Sequence, residues 1–400
     1  MTFSRRMSRA KPSAIREILK VTERPEVLSF AGGLPAPEAF PAEAIARAHA
    51  QVLASPAAPA ALQYGPTEGF GPLRAWIAER MTKSRGLRCR PEQVLVTAGS
   101  QQGIDLVAKA LLDEGDTVVV ENPSYLAALQ AFESYEARFE VVGSDEDGMR
   151  VDELEAVLRR ARPKLIYLVP TFQNPRGTTL SLERRARLAQ LAARFGVPVL
   201  EDDPYGELRY RGAPLPAVAA IDPEAPVIHL SSFSKTLAPG LRLGWAVADE
   251  KTIRMLTVAK QAADLHSGSL AQHATAKLLE TFDYDAHLRS IGALYSARCE
   301  AMLAALEQNF PRGTTWTRPE GGLFVWARLP GGIDAEELFV EAMKDRVAFV
   351  PGAPFFAAAP DRSTLRLNFS NRPPALIAEG MARLAGCIAR LQDGPRAAVG

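Results

Sequence analysis

The chain has 400 residues, 47% of them apolar and 23% charged, with 47 basic and 46 acidic side chains for a formal charge of +1. That length suits two or three domains around a sizeable core, and near-neutrality argues against nucleic-acid or membrane-surface binding through bulk charge. No apolar run approaches the ~20 residues of a bilayer span, and three scattered cysteines (Cys89, Cys299, Cys387) exclude a disulfide framework and most sequence-local metal sites while suiting a reducing compartment, the cytoplasm.

The first eleven residues are basic and acid-free, but no apolar stretch follows to make an export signal. Ser13 followed by Arg16 and Glu17 reads as the capped start of a helix over 13–22, and Ser55–Ala61 as a Pro/Ala loop. From residue 93, short apolar runs alternate with amphipathic stretches. Strands are predicted at Gln93–Ala98, Thr117–Glu121, Arg138–Val142, Leu165–Val169, Val197–Glu201, Val227–Ser231 and Leu243–Ala248; helices at Ser100–Leu112, Ser124–Glu133, Val151–Arg160 and Leu182–Arg194. Continuous apolar strands separated by helices predict an α/β domain with a mainly parallel sheet buried on both faces. After Ala248 the pattern turns helical through Asp285–Gln308. Strands at Thr314–Thr317, Gly322–Leu329, Ala348–Val350 and Thr364–Phe369, closed by a helix from Pro374 to about Leu391, then predict a smaller α+β domain.

Ligands of parallel sheets sit at the carboxyl ends of strands, so the residues after each run are the ones to read. Gly99-Ser100-Gln101 opens a helix whose N-terminal amides suit a phosphate; alone it is an ordinary glycine turn. Asn174-Pro175 follows LIYLVP, with the cis form open; alone it is a turn. Glu201-Asp202-Asp203-Pro204-Tyr205 follows VPVL, and alone reads as a solvated acidic loop. Lys235 lies among Ser231, Ser232, Ser234 and Thr236 after VIHL, with Arg242 seven positions on; lone lysines are mostly surface groups, but this one follows a buried-looking strand. A lysine among cationic and apolar neighbours loses its proton easily and becomes a nucleophile for carbonyl carbon. Together these signals answer one demand, that of pyridoxal phosphate (PLP) chemistry: a Schiff-base lysine, an acid on the pyridine nitrogen, donors on the phenolic oxygen, and an arginine plus a helix N-terminus on the phosphate.

In these motifs the chain resembles fold-type I, class I/II PLP-dependent aminotransferases. SSFSKTLAPGLRLGW is similar to that family's Schiff-base segment, FQNP to its Asn-Pro segment, EDDPYGEL to its Asp-x-x-Tyr segment, AGSQQGIDL to its phosphate loop and STLRLNFS to the segment with the carboxylate-binding arginine. The resemblance implies that Lys235 carries the cofactor and shuttles the proton, Asp202 pairs with the pyridine nitrogen, and Tyr205 and Asn174 contact the phenolic oxygen. It puts Ser100, Gln101, Ser232, Ser234 and Arg242 on the phosphate, Tyr125 on the ring, and Arg366 in a bidentate clamp on the substrate α-carboxylate, a geometry that suits guanidinium. Tyr64, in LQYGPTEGF, is similar to a tyrosine lent to the neighbouring subunit's phosphate, which implies a homodimer. Arg176 departs from the commoner Asn-Pro-Thr-Gly, which puts local loop packing or substrate access in question.

The opening SAIREILKVTERPEVLSFAGGLPAPEAFP, with LQYGPTEG and KQAADLH, resembles the bacterial 2-aminoadipate aminotransferases related to kynurenine/aminoadipate aminotransferase II. This implies an N-terminal segment (1–50) that packs with the small domain and covers the site, a large PLP domain (51–300) and a small domain (301–400). Ser13 and Arg16 then recognise a distal carboxylate, and Gly33 lets backbone approach the substrate. The activity implied is ping-pong transfer of the amino group of an L-amino acid (2-aminoadipate, glutamate, leucine or aromatic) to 2-oxoglutarate or another 2-oxo acid. A PLP-dependent carbon–sulfur β-lyase, a cyclopropane-forming synthase and a non-catalytic PLP-binding sensor share the constellation. A regulator would add an N-terminal DNA-binding domain, whereas the aminotransferase-like region here starts by residue 13.

Overall fold

The structure, a computed structural model, describes residues 2–9, 18, 24 and 26–393. Ser13 and Arg16, and almost all of the helix predicted over 13–22, lie outside the described residues. After a two-residue strand β1 (Leu28–Ser29), eight strands build the principal sheet: β2 (Val94–Thr97), β3 (Thr117–Asn122), β4 (Arg138–Asp145), β5 (Gly148–Met149), β6 (Leu165–Leu168), β7 (Val199–Asp202), β8 (Val227–Ser232) and β9 (Gly244–Val247). Their order is β2-β9-β8-β7-β6-β3-β4-β5. The pairings from β8 through β7, β6 and β3 to β4 are parallel; those of β9 with β2 and β8, and of β4 with β5, are antiparallel. The β8–β9 connection is short and holds no crossover helix, so β9 must run back against β8.

Strand alternation sorts the core. Val118, Val120, Tyr167, Leu200 and Leu230 face one cluster, with Ile104, Leu106 and Phe132. Val119, Ile166, Leu168 and Val199 face the other, with Leu154, Leu158, Leu188 and Leu191. A side-chain period of two delivers successive residues to opposite faces, and both faces are covered, as the unbroken apolar runs require. The helix Leu182–Phe195 shows why its ends fall where they do. Ser181 accepts from the Arg184 amide at 3.4 Å, and Gly196 closes it at φ 63°, the left-handed conformation glycine adopts without penalty.

A second, antiparallel sheet has the order β10 (Thr315–Trp316), β11 (Phe324–Arg328), β14 (Thr364–Asn368), β13 (Val350–Pro351). Strand β12 (Val347–Ala348) pairs in parallel with β1, so the apolar run predicted as one strand at 348–350 breaks at Phe349. That pairing ties residues 28–30 to the small sheet: the Phe30 amide donates to the Ala348 carbonyl at 2.7 Å and its own carbonyl accepts from the Asn368 amide at 2.9 Å. The loop predicted at Ser55–Ala61 runs instead into a short helix, Ala58–Leu62, with Pro59 in its first turn, where a missing amide costs nothing. Residues Arg5–Arg9, unassigned from sequence, form one helix that reaches Glu114 and Glu136 through Arg5.

Leu200 lies fully buried in the middle of β7, two residues before the strand ends at Asp202. Leu200→Ala is expected to cost about 2–5 kcal/mol of apo-protein stability, the range for a buried leucine that leaves a cavity. Urea denaturation followed by tryptophan fluorescence measures it.

Candidate active site

A cavity of about 1000 Å³ opens at the carboxyl ends of β6, β7 and β8, where a parallel sheet presents its ligands. Lys235, Asp202, Tyr205 and Asn174 line it together with Arg366 and Arg242. So do Ser100, Gln101, Tyr125, Ser232, Ser234 and Gly33, so that residues scattered from Gly33 to Arg366 along the sequence meet in one cavity. Tyr64 does not line it. That side chain is 77% exposed and meets the edge of His266 at 5.8 Å.

Strand parity decides which of three consecutive acids reaches the cavity. Asp202 falls on the face of Leu200 and Tyr167, and the Tyr167 hydroxyl donates to its Oδ2 at 2.9 Å. Glu201 points the opposite way, 3.1 Å from His229 and accepting from the amides of Val218 and Ala219. Asp203 pairs with the buried Arg85 at 2.7 Å. Burial pushes the Asp202 carboxyl up to about 7, against the Tyr167 hydrogen bond, while Glu201, with His229 and Arg185 outweighing burial, is held at about 2. Oδ1 of Asp202 has no hydrogen-bond partner among the described residues.

Lys235 follows β8 in a tight turn and donates to the Gly33 carbonyl at 2.8 Å. Burial, with Arg366 and Arg242 nearby, lowers its amine to about 8. Gly33 thus meets the lysine through its backbone, and a Cβ there would come within 3.0 Å of the Phe324 ring. Arg366, on β14, is almost fully buried. It donates to Asn174 Oδ1 and to the Ala31 carbonyl, each at 2.7 Å, and lies over the Phe324 ring at 4.3 Å. Among the described residues it makes no ion pair, and burial lowers its guanidinium to about 10. Asn174 donates in turn to the Tyr205 hydroxyl at 3.4 Å, and its bond to Pro175 is cis.

At the other end of the cavity, Arg242 donates to the Ala98 carbonyl at 2.8 Å across Gly99, whose φ of 88° and missing Cβ both matter: a Cβ would meet the guanidinium at 2.8 Å. Ser232 Oγ bonds Ser234 Oγ at 2.8 Å and accepts from the Ser234 amide. Gln101 donates to the Ala127 carbonyl at 3.1 Å, and the Tyr125 hydroxyl approaches Gln101 at 3.5 Å. Sequence reading missed the support behind this loop. Gln102 Oε1 accepts from both the Ala98 amide and Lys260 Nζ at 2.8 Å, and Lys260 also holds Asp264. Its signal was present in KQAADLH, with Lys260 and Asp264 one helical turn apart. Arg176 lines a neighbouring cavity of about 730 Å³ beside Trp316 and Arg328, its amide held by Gln173 Oε1 and its guanidinium by the Asp145 carbonyl.

The family model for aminotransferase class I and II matches residues 26–384. The chain belongs to the class I and II aminotransferases. It is 46% identical over 391 residues to aromatic-amino-acid aminotransferase 1 of Thermococcus litoralis, covering 96% of this chain and 94% of that protein. It is 47% identical over 385 residues to 2-aminoadipate transaminase of Thermus thermophilus, covering 96% and 95%. It superposes with TM-score 0.91 and 46% identity, over 98% of both chains, on α-aminoadipate aminotransferase LysN of Thermus thermophilus, complexed with N-(5'-phosphopyridoxyl)-L-leucine. The fold expected from sequence, a mainly parallel α/β sheet with a smaller α+β unit, is that of this aminotransferase, and its cofactor is pyridoxal phosphate. No helix among the described residues is long and apolar enough to cross a membrane.

The cavity fits that cofactor. A buried carboxylate oxygen without a donor suits a protonated ring nitrogen, a lysine with a lowered pKa suits an aldehyde, and the Gly99–Arg242 approach with the amides opening the helix Ser100–Leu111 suits a phosphate. Because only the neutral amine attacks the aldehyde, and Lys235 is neutral above about pH 8, capture of PLP by apo-aminotransferase should accelerate as pH rises with a midpoint near 8, not near 10.5. Stopped-flow absorbance across that range measures it. Arg366→Ala removes a repelling charge and should move the midpoint upward.

Proposed function

We propose that the aminotransferase moves the amino group of 2-aminoadipate, glutamate and large apolar or aromatic L-amino acids to 2-oxoglutarate in two half-reactions. The observation that carries this reading is Arg366, a buried guanidinium without an acidic partner among the described residues, lining the same cavity as Lys235 and Asp202. A buried cation held only by neutral acceptors is costly, and an α-carboxylate arriving in bidentate fashion repays that cost. The names of the two aligned relatives favour aminoadipate and aromatic donors. Leu34, Leu126, Ala127 and Ala131 give the cavity an apolar wall for a large side chain.

When bound, PLP supplies an electron sink conjugated to the substrate Cα. The chain's residues do the rest. In this reading Nζ of Lys235 would take up and give back the proton of the substrate Cα, its lowered pKa fitting both directions. Asp202 Oδ1 holds the ring nitrogen in its protonated form. Asn174 and Tyr205 donate to the phenolic oxygen, Tyr125 flanks the ring, and Ser100, Gln101, Ser232, Ser234 and Arg242 hold the phosphate. Gly33 lies against the substrate, and Ser13 and Arg16 receive a distal carboxylate. We infer a homodimer in which Tyr64 reaches the partner's phosphate. Its support is the exposed apolar surface around Tyr64: Leu62 and Leu265 are each more than half exposed. The proposed setting is the cytoplasm.

Lys235→Ala is expected to abolish transamination while PLP still binds. Arg366→Ala should lower kcat/KM for every donor by roughly 100-fold, the scale of losing charge-assisted hydrogen bonds. Arg16→Ala should lower turnover of 2-aminoadipate and leave leucine unchanged. A coupled assay across a donor panel with 2-oxoglutarate reads all three, and equal losses for both donors on Arg16→Ala would remove the distal-carboxylate role. For Tyr64, mixing Lys235→Ala with Tyr64→Phe subunits should regenerate sites of wild-type PLP affinity.

A further inference from the structure

We propose that Tyr167 is a positioning residue for the reaction: its hydroxyl ties one carboxylate oxygen of Asp202 to the sheet so that the other is presented to the ring nitrogen of the cofactor. The inference rests on the proposed placement of Asp202 against that nitrogen.

Tyr167 sits in the middle of β6, paired opposite Leu200 of β7, so it shares a sheet face with Asp202 two residues further on. Both side chains are buried, and the contact between them is 2.9 Å. The tyrosine ring is fixed from behind by the edge of Phe132, with centroids 5.4 Å apart. It does not line the cavity, so it acts on the cofactor only through the carboxylate. Asp202 has no other side-chain hydrogen-bond partner among the described residues, and Oδ1 has none at all. The remaining charged neighbours are committed elsewhere: Asp203 to Arg85, and His229 to Glu201 on the opposite face.

A phenol is the right donor for this task. An arginine or lysine against Oδ2 would neutralise the carboxylate and weaken its hold on a protonated ring nitrogen. The Tyr167 hydroxyl fixes the rotamer and leaves the negative charge for the cofactor. Its own pKa, raised well above the ordinary tyrosine value by burial and by Asp202, keeps it a donor. Sequence reading took LIYLV as an apolar strand and Tyr167 as part of it.

Tyr167→Phe keeps the ring and removes the donor. The expected result is about a ten-fold weaker PLP dissociation constant by fluorescence titration of apo-enzyme. A comparable fall in kcat, with KM for the amino donor within two-fold, should accompany it. Asp202→Asn alone should weaken PLP binding more, and in that background Tyr167→Phe should change PLP affinity less than two-fold. The double variant holds no buried unpaired carboxylate, so it reports packing by itself. Wild-type PLP affinity in Tyr167→Phe, or an equal loss with and without Asp202, would overturn the inference while leaving the Asp202 placement standing. Wild-type PLP affinity in Asp202→Asn would overturn both.

Discussion

A charge removed from water must find an opposite charge or shift its protonation, and the principal cavity contains three that have found none. Lys235 donates to the Gly33 carbonyl, Arg366 to Asn174 and the Ala31 carbonyl, and Asp202 accepts from the Tyr167 phenol. These partners satisfy hydrogen bonds without cancelling charge. The strain shows as a lysine and an arginine lowered and a carboxyl raised, the pattern expected where groups are held ready for a ligand. Two other buried acids beside the same strand do face a basic partner: Asp203 pairs with Arg85, and Glu201 lies against His229. The difference lies in which sheet face each side chain takes.

Two sheets and one strand of backbone create this arrangement. Asp202 and Lys235 come from the ends of β7 and β8, whereas Arg366 sits mid-strand on β14 of the smaller sheet. The segment from Phe30 to Gly33 joins them. It hydrogen-bonds to β12 and β14 at one end and offers its carbonyls to Arg366 and Lys235 along its length. Rearrangement of the small sheet against the large one would therefore pull on both cations at once.

Much of the large sheet was legible because its strands are buried on both faces and read as unbroken apolar runs. β3 and β6 fall within a residue of their predicted limits. Several residues that line the cavity were legible for a different reason: Asp202, Ser232 and Lys235 sit at or just after the ends of apolar strands, where a parallel sheet presents its ligands. What escaped were features with no local signature. β1 is two residues long and exists through its pairing with β12, and the helix Ala58–Leu62 lies in a Pro/Ala stretch that reads as a loop. Lys260 and Asp264 spell an ordinary helical ion pair whose target, Gln102, is remote in sequence.

The amino-acid sequence by itself determined the α/β architecture, the family and most of the residues that meet in the cavity, because apolar periodicity and side-chain chemistry are local properties. The tertiary structure decided which of Glu201, Asp202 and Asp203 faces the cavity. It also decided that a tyrosine from the adjacent strand steadies that acid, that Arg366 arrives without an acidic partner, and that Arg176 turns to a neighbouring cavity. Each of these depends on contacts between elements far apart in the chain, and for the strand residues Glu201, Asp202, Tyr167 and Arg366 a one-residue change of register would send the side chain to the opposite face.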